Sequence, residues 1–342
     1  MESKTEPHNR LILHPSFIST IKTIYNELKI GVPEPISEQV NFDSYSFPSG
    51  GKLVAIEREK TYKLDAKIGE ELSNKIVIWA YDESFNKYVS LEGTAFLTSH
   101  SLIVHGRKDY LPVIFMTFYF YTHSKEYGNK SQCIKCSKKT EVEFKKDYVK
   151  DRERLLSEAI PSKSNSLIFI DGPLIAAQIS SSTVRLNRKL LEKNMIPIFC
   201  VKNSFSNMVV DNTKELRGKF NSDLHWAFKT LKCGERTNFF KYVDRHSPEK
   251  SKIFCYVKAF DISPQRIEFH PKTYEKYGSL MKDLMSLVYY LMLVQGDMIN
   301  FEVRPIAIAE KYARDALKLV DLVKVMRSIY TTPTMNQDRF GG

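Results

Sequence analysis

The stretch from Ser166 to Lys202 constrains the fold more than any other part of the 342-residue chain. It reads strand, helix, strand: SLIFID is a short apolar run, residues 182–194 form a helix, and MIPIFCVK is a second apolar run. Two strands joined through a helix pair in parallel, with a right-handed crossover. Open α/β sheets take their ligands beyond the carboxyl ends of such strands. Asp171 stands at that end of the first strand and Lys202 at that end of the second. A carboxylate there is costly to desolvate unless a hydrogen-bond donor, an arginine, a metal ion or bulk water meets it. Gly172, next in the chain, permits a tight turn and the close approach of a ligand. The same Asp-Gly pair also suits a turn that merely caps the next segment.

Upstream, apolar and β-branched runs predict strands over 53–64, 75–81, 94–106 and 113–122. Their close spacing predicts a meander. Residues 10–30 read as an amphipathic helix ending near Gly31 and Pro33, and 146–160 as a helix ended by Pro161. Further strands are predicted over 252–260 and 265–271, and two closing helices over 273–295 and 305–330. A meander followed by a β-α-β unit and more helices predicts an α/β fold, a mixed sheet flanked by helices. The expected organisation is a single domain over 1–342, with an N-terminal helical segment (1–40), a core (41–270) and a helical C-terminal part (271–342). The polar stretch near 122–146 reads as a basic insertion.

The chain carries 51 Lys and Arg against 40 Asp and Glu, a formal net charge of +11. That excess favours a polyanionic partner, nucleic acid before membrane. Apolar residues at 42% suffice for a real core and argue against wholesale disorder. Five cysteines without framework spacing suit a reducing interior. The polar start MESKTEPHNR is no signal peptide, and the most apolar helical run, LMSLVYYLMLV, is shorter than a membrane span requires. A soluble cytoplasmic protein with no membrane association is expected.

Several other residues have chemistry to offer. Glu153 and Glu158 lie on the helix before Asp171, where a carboxylate facing the sheet would complete a metal pair, although most charges on that helix suit a solvated face. Cys133 and Cys136 have the spacing of half a zinc site; two free thiols in an exposed hairpin are the alternative. KCGERTNFFKY sets Arg236, Phe239 and Phe240 among lysines, a mix suited either to a nucleic-acid backbone and bases or to an ordinary loop over a buried Phe pair. Lys202 could hold a phosphate or be solvated. Glu310 sits inside a helix opened by Pro305, four residues before Arg314, so an intrahelical ion pair is its simplest role.

Taken in order, five segments resemble the NurA family of prokaryotic, chiefly archaeal, nucleases that process DNA ends: FIDGPL, PIFCVKNSFS, LKCGERTNFF, QRIEFHP and RPIAIAEKYAR, spanning 166–316. The resemblance implies an RNase H-like core and a dimer. It implies exonuclease and/or single-strand endonuclease activity with two Mn²⁺ or Mg²⁺ ions, and a hexameric ATPase partner, HerA, that feeds DNA. Hard cations call for several oxygen ligands at one mouth. By resemblance Asp171 matches the central metal aspartate, Glu153 the preceding helix glutamate, and Glu310 the acid or histidine of the terminal helix. The family opens with Asp-Gly-Ser on a strand. No such triplet exists here, and Asp43 in NFDSYS, or Glu57 in VAIERE, is the nearest match. The expected site is therefore Asp43 (or Glu57), Glu153, Asp171 and Glu310, with Lys202 on phosphate and Arg236, Phe239 and Phe240 on DNA. A non-catalytic, DNA-binding relative that regulates the ATPase, and an RNA-processing enzyme on the same fold, are the rival expectations.

Overall fold

The computed structural model describes residues 16–27, 45–46, 51–105, 110–126, 131, 133–162, 165–175, 180–296 and 302–334. The chain forms two compact units, Met1–Gln39 and Val40–Gly342. The first contains helix α1 (Ser16–Lys22), continued by a π-helical turn over Thr23–Glu27.

The second unit holds one mixed sheet. Its strands are β1 (Tyr45–Ser46), β2 (Lys52–Ala55), β3 (Thr61–Lys63), β4 (Ile78–Val89), β5 (Thr94–His105), β6 (Tyr110–Thr122) and β7 (Ile134–Cys136), then β8 (Ser166–Asp171), β9 (Met195–Val201), β10 (Glu235–Thr237), β11 (Phe240–Val243), β12 (Lys252–Lys258) and β13 (Gln265–Phe269). Its helices are α2 (Ala66–Ser73), α3 (Thr140–Ala159), α4 (Ser180–Glu192), α5 (Asp223–Thr230), α6 (Pro271–Tyr277), α7 (Met281–Gln295), α8 (Arg304–Leu317) and α9 (Leu322–Ser328). The spatial order is β1-β2-β11-β12-β13-β9-β8-β4-β5-β6-β7, with β10 pairing β12 and β3.

The centre is the meander β4-β5-β6, antiparallel throughout, joined through β4 to parallel β8 and then parallel β9. Three antiparallel strands followed by two parallel ones is the RNase H-like arrangement. The expected α/β mixed sheet is what the chain adopts. The β8-α4-β9 unit supplies the parallel pair, as its two apolar runs require.

Side chains alternate across the strands, so the sheet has two faces with different covers. Ile78 and Ala80 of β4, Leu167 and Phe169 of β8, and Ile198 and Cys200 of β9 share one core with Leu284, Leu287 and Val288 of α7 and Ile306 and Ala309 of α8. Trp79 and Tyr81, Ile168 and Ile170, and Phe199 face the other way, onto Leu155 and Leu156 of α3 and Leu186 and Leu190 of α4. Each large apolar side chain buried this way contributes about 1.5–3 kcal/mol. The α7–α8 layer is braced by α2, which lies so close to α7 that a Cβ on Gly69 would stand 2.3 Å from the Ser286 carbonyl oxygen.

The expected helix over 305–330 is split into α8 and α9, and other elements also differ from the sequence-based expectation. β4 runs eight residues past Tyr81, because DESFNKYV pairs with β5 along its whole length. The aromatic-basic segment 232–242 forms strands β10 and β11 inside the sheet. α2 and α5 fall where no element is predicted; each is opened by an N-cap side chain, Asp65 accepting from the Lys67 amide and Ser222 from the His225 amide.

Candidate active site

At the carboxyl ends of the parallel strands, the alternation that buries Ala80, Phe169 and Cys200 brings the residues two further on to the same face: Asp82, Asp171 and Lys202. Parallel pairing runs through Tyr81 and Ile170, so Asp82 and Asp171 are neighbours across the sheet. α8 packs on this face and adds Glu310, next to buried Ala309, while Glu302 enters from the segment leading into α8. Gly172 turns the chain away at φ 97°, a conformation open to glycine, and a Cβ there would meet no atom within 4 Å among the described residues.

Lys202 lies at the centre. Its Nζ donates to Glu310 Oε2 at 2.6 Å and lies 2.9 Å from Glu302 Oε2, 3.7 Å from Asp82 Oδ2 and 3.7 Å from Asp171 Oδ1. Arg314 pairs with Glu310 from outside, the i,i+4 pair that the sequence suggests. Four acids thus share one enclosed ammonium, and burial prevents all of them from ionising together. Desolvation, reinforced by Asp171, pushes the Asp82 carboxyl up to about 8 against the pull of Lys202. Desolvation likewise raises Glu302 to about 7 and raises Asp171. Burial also acts against ionised Glu310, but the Lys202 hydrogen bond and Arg314 outweigh it and hold that carboxyl low. Burial alone would weaken the Lys202 ammonium; the surrounding carboxylates, Asp171 foremost, raise its pKa instead.

The donor set fits a divalent cation. The groups are hard oxygen donors, they are under-compensated, and buried Asp171 Oδ1 accepts no hydrogen bond. Among the described residues no three His, Cys, Asp or Glu side chains stand as ready ligands around one point, since the Lys202 ammonium takes the centre.

Of the residues expected from sequence, Asp171, Lys202 and Glu310 come together. Asp43 lies outside the described residues. Glu153 does not join the cluster: α3 covers the opposite face, and there Glu153 accepts bidentately from Arg185 and from Lys189 at 2.6 Å, which holds its carboxyl down at about 2. Next to Asp82, Arg152 of α3 pairs with Glu83 of β4 on that same far face. Glu57 is the bidentate partner of Arg236, at 2.7 and 2.8 Å, and also accepts the Phe239 amide. Arg236, Phe239 and Phe240 are each 1% exposed, so none of them offers a surface to DNA. The Arg236 guanidinium is instead sandwiched by the rings of Phe239 and Tyr62 at 4.1 and 4.4 Å. Cys133 is half-buried with Sγ 3.0 Å from Ser131 Oγ, and Cys136 is exposed; neither belongs to a metal-holding group among the described residues.

Sequence reasoning missed Asp82 and Glu302. Asp82-Glu83-Ser84 lies on the first core strand, twelve residues before β5, where the resemblance calls for Asp-Gly-Ser. Glu83 stands in the glycine position and hid the motif. Its side chain points away from the cluster, to Arg152, Tyr81 and His100, while its amide donates to Asp82 Oδ1 at 2.7 Å.

The family model for the NurA domain matches residues 51–315. Among solved structures, the chain is similar to the NurA nuclease from Sulfolobus solfataricus, at 12% identity and TM-score 0.48, over 74% of this chain and 85% of that one. It is also similar to endonuclease V from Bacillus subtilis, at 11% identity and TM-score 0.38, over 74% and 90%. Argonaute from Aquifex aeolicus follows at 12% identity and TM-score 0.31, over 72% of this chain and 29% of that one. No curated protein matches. No helix among the described residues is long and apolar enough to cross a membrane.

Proposed function

The chain belongs to the NurA family, and from that premise we propose that it is a divalent-metal-dependent nuclease that hydrolyses DNA at ends or in single strands. The observation that carries this reading is the gathering of Asp82, Asp171, Glu302 and Glu310 around one ammonium at the carboxyl edge of the sheet. Asp82 and Asp171, aided by Glu302 and Glu310, would hold Mn²⁺ or Mg²⁺. Such an ion supplies a water activated near neutral pH and neutralises charge on the phosphate oxygens. Lys202 has a flexible four-carbon stem and an ammonium suited to a phosphate oxygen, and with the carboxylates engaged elsewhere it would hold the DNA backbone. The net charge of +11 draws DNA toward a site that is itself acidic, and the cation reconciles the two. A homodimer and a hexameric HerA-type ATPase partner are supported by the family resemblance. Size measurement in solution and co-purification with such an ATPase test them.

The direct test is incubation of wild type and Asp171→Ala with Mn²⁺ and single- or double-stranded DNA. Cleavage by wild type alone supports the proposal; equal cleavage by both, or none by either, refutes it.

One observation favours a second reading, a non-catalytic DNA-binding relative that regulates the ATPase. No carboxylate from α3 joins the cluster among the described residues: Glu153 is held by Arg185 and Lys189, and beside Asp82 the α3 side chain paired with Glu83 is the cation Arg152. On that reading the protein binds DNA and takes up no Mn²⁺ in calorimetry, whereas a nuclease shows uptake that Asp171→Ala abolishes.

A further inference from the structure

The two turns that carry the site, after Asp171 and after Lys202, share a buried anchor that the chemistry does not use. Glu268 of β13 is fully buried on the face away from the acid cluster. One carboxylate oxygen, Oε1, accepts from Lys252 Nζ at 2.6 Å and lies in an ion pair 2.9 Å from Arg266 Nε. The other, Oε2, accepts the amide of Leu174 at 2.8 Å, three residues beyond Asp171. Arg266 in turn donates through Nη1 to Ser204 Oγ, two residues beyond Lys202. Lys252 and Arg266 are themselves each only 5% exposed.

Burying two cations and a carboxylate is expensive, and apolar side chains of similar volume would serve stability as well or better. Such a triad needs another reason to be there. Its outward bonds supply one, because they end on the Asp171 turn and on the Lys202 turn. β13 is hydrogen-bonded along β9, so these bonds tie both turns to one rigid strand. At the first turn the Gly172 amide also donates to the Cys200 carbonyl at 2.8 Å and the Leu174 side chain is buried, so Glu268 adds the link from this turn to β13.

We propose that Lys252, Glu268 and Arg266 form the positioning element of this site, which fixes the Asp171 carboxylate relative to the Lys202 ammonium through Leu174 and Ser204. The proposal rests on the nuclease reading for its catalytic consequence, but not for its structural one. Misplacing a reacting group by about 1 Å costs up to about 100-fold in rate.

The experiment uses Ser204→Ala and Ser204→Thr, at the outer end of the link, where Ser204 Oγ also accepts the Ser206 amide at 3.3 Å, together with Glu268→Gln, which leaves that local bond in place. Hydrogen exchange by mass spectrometry follows peptides covering 171–175 and 203–206, and Mn²⁺-dependent cleavage gives kcat and KM. Ser204→Ala is expected to melt with wild type, to exchange faster in 203–206, and to lose about tenfold in kcat with KM within twofold. Ser204→Thr restores both readouts. Glu268→Gln is expected to speed exchange in both peptides. Wild-type exchange and kcat in folded Ser204→Ala would overturn the proposal, as would unchanged exchange at 171–175 in folded Glu268→Gln. Should Glu268→Gln fail to fold, the Ser204 pair decides. Wild type that cleaves nothing would sink the nuclease reading, while the exchange data would still decide the anchoring.

Discussion

Replacing Asp82 by Asn tests the electrostatics of the cluster most sharply. The Asp82 carboxyl, ordinarily near 3.8, is pushed up to about 8 by burial and by Asp171. Because its folded pKa lies above its unfolded one, the folded state binds the extra proton. Stability therefore falls as pH rises from about 4 to about 8. Glu302, raised to about 7, and Asp171, also raised, act with the same sign. Each pH unit in that window costs at most about 1.4 kcal/mol per group. Between pH 5 and pH 7.5 the Asp82 share has a ceiling of about 3 kcal/mol, and relaxation around a coupled site reduces it to about 1–3 kcal/mol.

Asparagine keeps the oxygen that accepts the Glu83 amide and removes the titration. In urea unfolding with EDTA, Asp82→Asn is thus expected to be more stable than wild type at pH 7.5, and the gap should narrow by about 1–3 kcal/mol at pH 5. Saturating Mn²⁺ should reverse the order at pH 7.5 by stabilising wild type alone. Parallel pH profiles for the two proteins in EDTA would refute the reasoning.

Three other outcomes are expected. Glu153→Gln should retain Mn²⁺-dependent cleavage within about twofold in a gel assay, since Arg185 and Lys189 hold Glu153 on the far face; loss of a hundredfold or more would return Glu153 to the site. Lys202→Met leaves four acids without their central cation and should cost about 3 kcal/mol in EDTA at neutral pH by urea unfolding, most of it recovered on adding Mn²⁺. Arg236→Met strands the half-buried Glu57 carboxylate and should cost about 2–3 kcal/mol in the same assay. The folded fraction of that variant should bind DNA with wild-type affinity in fluorescence anisotropy, because Arg236 is buried.

The parts of the site legible in the sequence were those whose position follows from local pattern. Asp171 and Lys202 each end an apolar run, and parallel pairing sends both ends to one edge. Glu310 lies within a proline-opened helix whose small residues, Ala307, Ala309 and Ala313, mark the buried face. Asp82 was not legible, because β4 continues through a polar stretch that belongs in the sheet only once β5 is paired beside it. Glu302 occupies a connection with no periodicity of its own. The facing of Glu153 is a tertiary matter: on a helix with charges all round, only packing on α4 decides that it meets Arg185 and Lys189. Arg236 and the two phenylalanines look like a nucleic-acid surface until Glu57, far away in the chain, is seen to neutralise the guanidinium.

The central claim is that the acid cluster takes a divalent cation and releases Lys202 from its midst. Crystals soaked in Mn²⁺ and measured near the manganese absorption edge test it directly. The expected result is an anomalous peak bounded by Asp82, Asp171 and at least one of Glu302 and Glu310, with the Lys202 ammonium withdrawn from the centre. An empty map with Lys202 still 2.6 Å from Glu310 would contradict it.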